Sequence, residues 1–208
     1  MEDILDVYQR PYDVSHPVVC LDETSKQHIQ ETRLPLPMEA GQPQKQDYEY
    51  ERNGVSNLFM MFEPLSGQRH VKVTQQRTKI DWAECVKDLV DNHYSEADRI
   101  TVVMDNLNTH KPASLYQAFS PEEARRLLNK LEFHYTPKHG SWLNMAEIEF
   151  SALQRQCLDC RIPDSVTLKQ KVTEWSQARN KKQVKTNWQF KMEDARIKLR
   201  RLYPVFMN

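Results

Sequence analysis

No run of about 18 apolar residues occurs anywhere in the 208-residue chain, so nothing in it reads as a membrane span. The N-terminal stretch MEDILDVYQRPYD has no basic segment leading into an apolar one and does not read as a secretory signal. Cysteine is sparse. Cys20, Cys85, Cys157 and Cys160 form no disulfide framework, which fits a reducing cytoplasm. Cys157 and Cys160 make a lone C-x-x-C. A zinc site needs a second pair or spaced histidines, and none follows, so these two read as helix-borne core thiols. The phosphate loop G-x-x-x-x-G-K-[S/T], the zinc motif H-E-x-x-H and the nucleophile turn G-x-S-x-G are all missing, which removes the chemistries they carry. Internal repeats and low-complexity tracts are absent too.

The chain has no net charge, but its charge is unevenly placed. Residues 1–50 carry ten Asp and Glu against four Lys and Arg, a net of −6. Residues 169–201 carry eleven Lys and Arg against three acids, a net of +8. A basic C-terminal third is the footprint expected of a polyanion-binding surface. With 39% hydrophobic and 28% charged residues, the length suits one sizeable globular domain.

The local pattern alternates strand and helix. HPVVCLDET (16–24) is a short apolar strand ending in Asp22, and RITVVMDNLNTH (99–110) runs from a buried-type strand into Asp105 and a cluster of amides. Between residues 34 and 46 a Pro- and Gln-rich segment reads as an extended loop. Strands near 47–52, 55–62 and 69–74 read as an antiparallel meander, with Asn53-Gly54 and Ser66-Gly67 as its turns. Helical spacing over 79–95 puts Ile80, Ala83, Val86, Leu89 and Val90 on one face, with Asp81 as cap. Further helices are expected at 121–131 (Ser120 cap, Pro121 in the first turn), 141–159, 165–183 (Asp164 or Ser165 cap) and 192–202, with a strand at 131–137. This order predicts a mixed α/β sheet with an antiparallel meander, flanking helices and a helical C-terminal extension.

Adjacent strands lie about 5 Å apart, so Asp22 and Asp105 at matching strand ends could share a divalent cation. The helix at 141–159 offers a third acid. With Leu143 as zero and about 100° per residue, Ala146, Phe150, Leu153 and Cys157 form the apolar stripe. Glu147 falls on its flank, near 40°, and Glu149 falls near 240° at the opposite margin. A carboxylate beside a core-facing stripe needs a partner. That favours Glu147 as the ligand, with Glu149 as a supporting or surface residue and the alternative ligand. Three carboxylates suit Mg²⁺ or Mn²⁺, and two such ions support phosphodiester cleavage.

VVCLDET, VVMDNLNTHK and HYTPKHGSWLNMAEIEFSALQRQCL resemble the three catalytic blocks of the IS630-type branch of the Tc1/mariner transposases. The resemblance runs from Pro17 to Pro204, and HGSWLN leading into the acidic helix is its most specific part. It implies an RNase H-like fold and a DDE active site of Asp22, Asp105 and Glu147 that holds two Mg²⁺ or Mn²⁺ ions. It also implies DNA strand cleavage and strand transfer. The partners it implies are transposon-end and target DNA and a second copy or full-length transposase, at the bacterial nucleoid. Asn106, Asn108 and His110 match motif positions that support Asp105 or approach phosphate. Lys138, His139 and Trp142 are expected at the DNA, with Trp142 stacking on a base or packing.

Family members carry N-terminal helix-turn-helix domains that recognise transposon ends. Here about 16 residues precede the first catalytic strand and read as the tail of a linker. The expectation is a core at 17–160 and a basic helical extension at 161–208, without sequence-specific end binding. The competing readings are an idle fragment that binds DNA or full-length transposase as a regulator, and a nuclease for RNA in hybrids. The motifs after Asp105 and before Glu147 argue against the latter.

Overall fold

The structure, a computed structural model, describes residues 1–43, 45 and 47–203; Pro204, the expected limit of the family resemblance, lies outside them. Five strands form one sheet: β1 (Val18–Glu31), β2 (Tyr50–Glu63), β3 (Gln68–Thr74), β4 (Ile100–Met104) and β5 (Leu131–Tyr135), in the order β3-β2-β1-β4-β5. β1–β2 and β2–β3 pair antiparallel, while β1–β4 and β4–β5 pair parallel. This is the expected mixed sheet with its meander.

Both faces of the sheet are covered, and the strand period of two divides the core accordingly. Cys20, Leu58, Met60, Phe62 and Val103 face one cluster, beneath α1 (Glu2–Gln9), α5 (Ala146–Leu153) and α6 (Ser165–Lys181). Val19, Leu21, Phe59, Met61, Ile100 and Val102 face the other, beneath α2 (Lys79–Asp88), α3 (Pro112–Ala118) and α4 (Pro121–Asn129). A last helix, α7 (Met192–Lys198), contacts α1. Among the described residues no helix is long and apolar enough to cross a membrane.

Several expectations hold locally. The Ser120 hydroxyl accepts from the Glu123 N–H and caps α4, and Asp164 Oδ1 accepts from the Thr167 N–H at 2.7 Å and caps α6. Gly67 closes the β2–β3 turn at φ +73°, where an added Cβ would lie 2.7 Å from the Gln183 backbone. That position therefore requires glycine.

Other expectations are corrected. Asn53-Gly54 is no hairpin turn. Gly54 sits at φ +93° inside β2, where the pairing with β1 shifts between Gln27 and Ile29. It is a bulge in one long strand, because β1 runs on to Glu31 and supplies the partner. Asp22 is accordingly inside β1, not at its end. The cap of α2 is Thr78 in a reciprocal box with Asp81, and Ile80 is exposed. Cys160 is exposed as well and lies beyond the helix. The segment read as a linker tail forms α1, whose Ile4, Leu5, Val7 and Tyr8 are buried. The Tyr8 hydroxyl donates to the Leu143 carbonyl at 2.6 Å, pinning α1 to the turn before α5.

Candidate active site

Val18, Val19 and Cys20 of β1 pair with Thr101, Val102 and Val103 of β4. Two residues on from Cys20 and Val103 stand Asp22, still within β1, and Asp105, the residue after β4, so the parallel register carries both aspartates towards the same end of the sheet. Asp22 is buried. Its Oδ1 accepts the Glu23 backbone N–H at 2.9 Å, and its Oδ2 accepts from Asn144 Nδ2 at 3.1 Å. Burial pushes the Asp22 carboxyl up to about 7. The Glu23 N–H opposes this, and the charges of Glu147, Asp105 and Glu23 reinforce it. The charges felt at Asp22 come from acids on β1, on α5 and after β4.

Asn144, a residue that the sequence did not single out, organises the third element. It is fully buried. Its amide donates to the Leu21 carbonyl at 2.9 Å as well as to Asp22, and its Oδ1 accepts from the Ala146 N–H. One side chain therefore ties the start of α5 to β1 and fixes where Glu147 begins its turn. The only sequence signal was its place in HGSWLN, because its partners lie 122 and 123 residues away.

His110 is buried between two acids. Its Nδ1 lies 2.5 Å from Asp105 Oδ1 and its Nε2 lies 2.8 Å from Glu23 Oε2. The Glu23 contact is an ion contact without hydrogen-bond alignment. Burial opposes charge on the ring, but Asp105 and Glu23 outweigh it and raise the imidazolium to about 9. A charged His110 thus holds one oxygen of Asp105 while the carboxylate stays half-buried.

Among the described residues no three His, Cys, Asp or Glu side chains are gathered closely enough to cage a metal ion. The donor chemistry nonetheless fits a hard divalent cation: oxygen ligands alone, and a carboxyl at Asp22 held high first by burial and then by neighbouring negative charge, a cost and a repulsion that a bound cation relieves.

The family profile of the DDE superfamily endonucleases matches residues 17–169. The chain belongs to this family. No curated protein matches the sequence. Among solved structures, the fold is similar to the Mos1 transposase paired-end complex with left transposon end, at 14% identity and a TM-score of 0.59, covering 87% of this chain and 55% of that one. It is also similar to the Mos1 strand transfer complex, at 16% identity and TM-score 0.57 over 84% and 51%. The catalytic domain of Mos1 mariner transposase matches at 12% identity and TM-score 0.55 over 87% and 86%. At these identities the likeness is one of fold, the RNase H-like fold that was expected. The chain spans about half the length of the Mos1 chains in the two complexes.

In this member of the DDE family the two glutamates of α5 face opposite ways. Glu147 is exposed, whereas Glu149 is buried at 1% exposure between Arg69 and Arg179. The helical-wheel expectation had them the other way round, with Glu147 nearer the apolar face. Its phase was set on Leu143, which belongs to a separate turn at Ser141–Leu143; α5 starts only at Ala146. Counted from Ala146, Glu149 lies one turn on and shares its inward face. Asn106 and Asn108 stand exposed in the turn after β4. Lys138 and His139 are exposed and, with Trp142, wall a cavity of about 440 Å³. Trp142 stacks on Trp188 at 6.2 Å between centroids and meets Phe190 edge-on, yet stays 44% exposed. It packs and remains open at once.

Proposed function

We propose that this chain is the catalytic domain of a transposase of the Tc1/mariner superfamily, and that it cleaves DNA strands and transfers the freed 3′ ends through Asp22, Asp105 and Glu147. The observation that supports this reading is the parallel register of β1 and β4, in which Asp22 and Asp105 each follow by two residues the last paired positions, Cys20 and Val103.

In this reading Asp22, Asp105 and Glu147 hold two Mg²⁺ or Mn²⁺ ions. Bound there, such ions lower the pKa of a nucleophilic water or 3′-hydroxyl and offset charge on the leaving oxygen. Asn144 holds Asp22 Oδ2 and the first turn of α5, and His110 holds Asp105 Oδ1, so two of the three acids are oriented before any ligand arrives. The DNA lies across the exposed cations of α6 and the segment after it: Lys169, Lys171, Lys181, Lys182 and Lys185. Trp142, Lys138 and His139 border its path. A second copy of the chain is the expected partner when two DNA ends are paired.

The test is nicking of supercoiled plasmid with Mn²⁺ by the wild type, Asp22→Asn, Asp105→Asn and Glu147→Gln. The wild type nicks and the three variants do not, while all four keep their circular dichroism. Nicking retained in Asp105→Asn removes the site assignment.

A further inference from the structure

We infer that the cavity beside Trp142 receives one unpaired nucleobase of a DNA strand, stacked on the Trp142 indole, with flanking phosphates at Lys138 and His139. The inference rests on the reading of the chain as a DNA-cleaving domain. It adds the state in which the DNA is held, locally single-stranded.

The platform is braced. Trp142 stacks on Trp188 at 6.2 Å between centroids and meets Phe190 edge-on at 5.8 Å. Trp188 is itself fixed: its indole N–H donates to the Phe190 carbonyl at 2.7 Å, and its ring lies 5.3 Å from that of Tyr8. Trp188 and Phe190 come from the segment between α6 and α7, so two distant parts of the chain hold the indole in place. Even so, 44% of Trp142 stays exposed. A rigid aromatic surface left open in this way is what a nucleobase stacks on.

The cavity next to it has a volume of about 440 Å³, within the range of about 300–1,000 Å³ usual for ligand sites. Pro137, Met1 and Leu202 supply apolar wall, while Lys138 and His139 are exposed at its border. Among the described residues no acid lines it. Gly140 permits the turn that presents these cations. Its N–H donates to the Pro137 carbonyl at 2.8 Å, and an added Cβ would meet the Pro137 ring at 2.6 Å. Apolar walls, an open indole and a basic border together match a base carried on its phosphates.

The chain on either side of the cavity leads to the candidate acids. Thr136, next to Pro137, donates its N–H to the carbonyl of Met104, the residue before Asp105. Leu143 leads directly into Asn144, which hydrogen-bonds Asp22. The cavity thus stands at the end of the sheet that carries Asp105. In a duplex the face of each base is covered by its neighbours, so an indole can take only a base that is extruded or single-stranded.

The experiment uses the intact protein and a short single strand of DNA, an abasic strand of the same length and a fully paired duplex. The abasic strand keeps every phosphate and lacks the bases. Binding is read by fluorescence anisotropy at constant ionic strength without Mn²⁺, for the wild type, Trp142→Ala and Trp142→Phe. The wild type binds the base-bearing strand about tenfold more tightly than the abasic one. This preference disappears in Trp142→Ala and returns in Trp142→Phe, while abasic binding is equal in all three. If Trp142→Ala fails to fold, ultraviolet cross-linking of the wild type to a strand bearing 5-iodouracil decides. The cross-link then maps to Trp142 and is absent with the duplex. Equal binding of base-bearing and abasic strands, a preference that survives in folded Trp142→Ala, or a cross-link confined to other residues overturns the proposal. Plasmid nicking with Mn²⁺ is read on the same preparations. Nicking without base preference overturns this site and leaves the cleavage reading, and base preference without nicking does the reverse.

Discussion

The Glu149 carboxylate lies 2.9 Å from the Arg69 Nε, and both side chains are withdrawn from solvent. The contact joins α5 to the edge strand β3 and keeps the helix that bears Glu147 in place. A residue two positions from the expected ligand thus anchors the helix that carries it.

Glu149→Gln should therefore lower stability and not remove metal chemistry. The substitution leaves Arg69 and Arg179 without their shared anion, and breaking a buried pair in this way costs about 3–5 kcal/mol. Urea unfolding should show the midpoint falling. Mn²⁺ binding by the folded variant should stay within a few-fold of the wild type. A stable variant that loses Mn²⁺ would make Glu149 the ligand after all.

Asn144→Ala removes a donor to Asp22 and to the Leu21 carbonyl, and an acceptor for the Ala146 N–H. The expected cost is about 1–3 kcal/mol of stability. The orienting role adds a roughly 10–100-fold loss of Mn²⁺ affinity. Calorimetry on the folded variant separates the two effects, since a purely structural asparagine would leave metal affinity alone.

His70 and His93 stack with ring centroids 3.6 Å apart. Burial, helped by the nearby His93 and Arg69, lowers the His70 pKa from 6.5 to about 4. The unfolded chain then takes up a proton at a higher pH than the folded one. His70 therefore costs nothing above pH 6.5, and stability falls as the pH drops from 6.5 towards 4. The limit is about 3 kcal/mol. His70→Gln should flatten this arm of the stability–pH curve. Chemical denaturation at pH 7.5, 6, 5 and 4 checks it, and parallel curves for the two proteins would contradict it.

His110→Ala removes the cation between Asp105 and Glu23 and leaves those acids facing each other across the space it filled. Nicking should fall by about 10-fold or more, by the scale of losses when a ligand's orienting partner goes. His110→Gln, which keeps a donor but no charge, should fall between. Equal activity of all three proteins would make the histidine a packing residue.

Much of the framework was legible locally. The β-branched run of β4, the caps at Ser120 and Asp164, and the Ser66-Gly67 turn declare themselves through short-range chemistry: strand propensity, a hydroxyl or carboxylate three residues before an N–H, a glycine at positive φ. The acids Asp22 and Asp105 were expected because each follows a short apolar run. The resemblance of three blocks led to the family and to Glu147 as the expected third acid. The Asn53-Gly54 turn failed for a tertiary reason: the same dipeptide bulges a strand when a long partner such as β1 runs beside it.

What the sequence determined by itself is this alternation of strands and helices and the identity of the acids they carry. What only the tertiary structure decided is which groups meet. Asn144 reaches Asp22 across 122 residues, and Arg69 reaches the helix of Glu149 from the far edge of the sheet. The start of α5 at Ala146 decides which glutamate turns inward. The stripe of Ala146, Phe150 and Leu153 is buried as expected; leaving out Leu143, which precedes the helix, moves the centre of that stripe away from Glu147 and towards Glu149. Polar partners distant in sequence leave no periodic trace, because their pairing depends on strand register and on burial that makes an unpartnered charge costly.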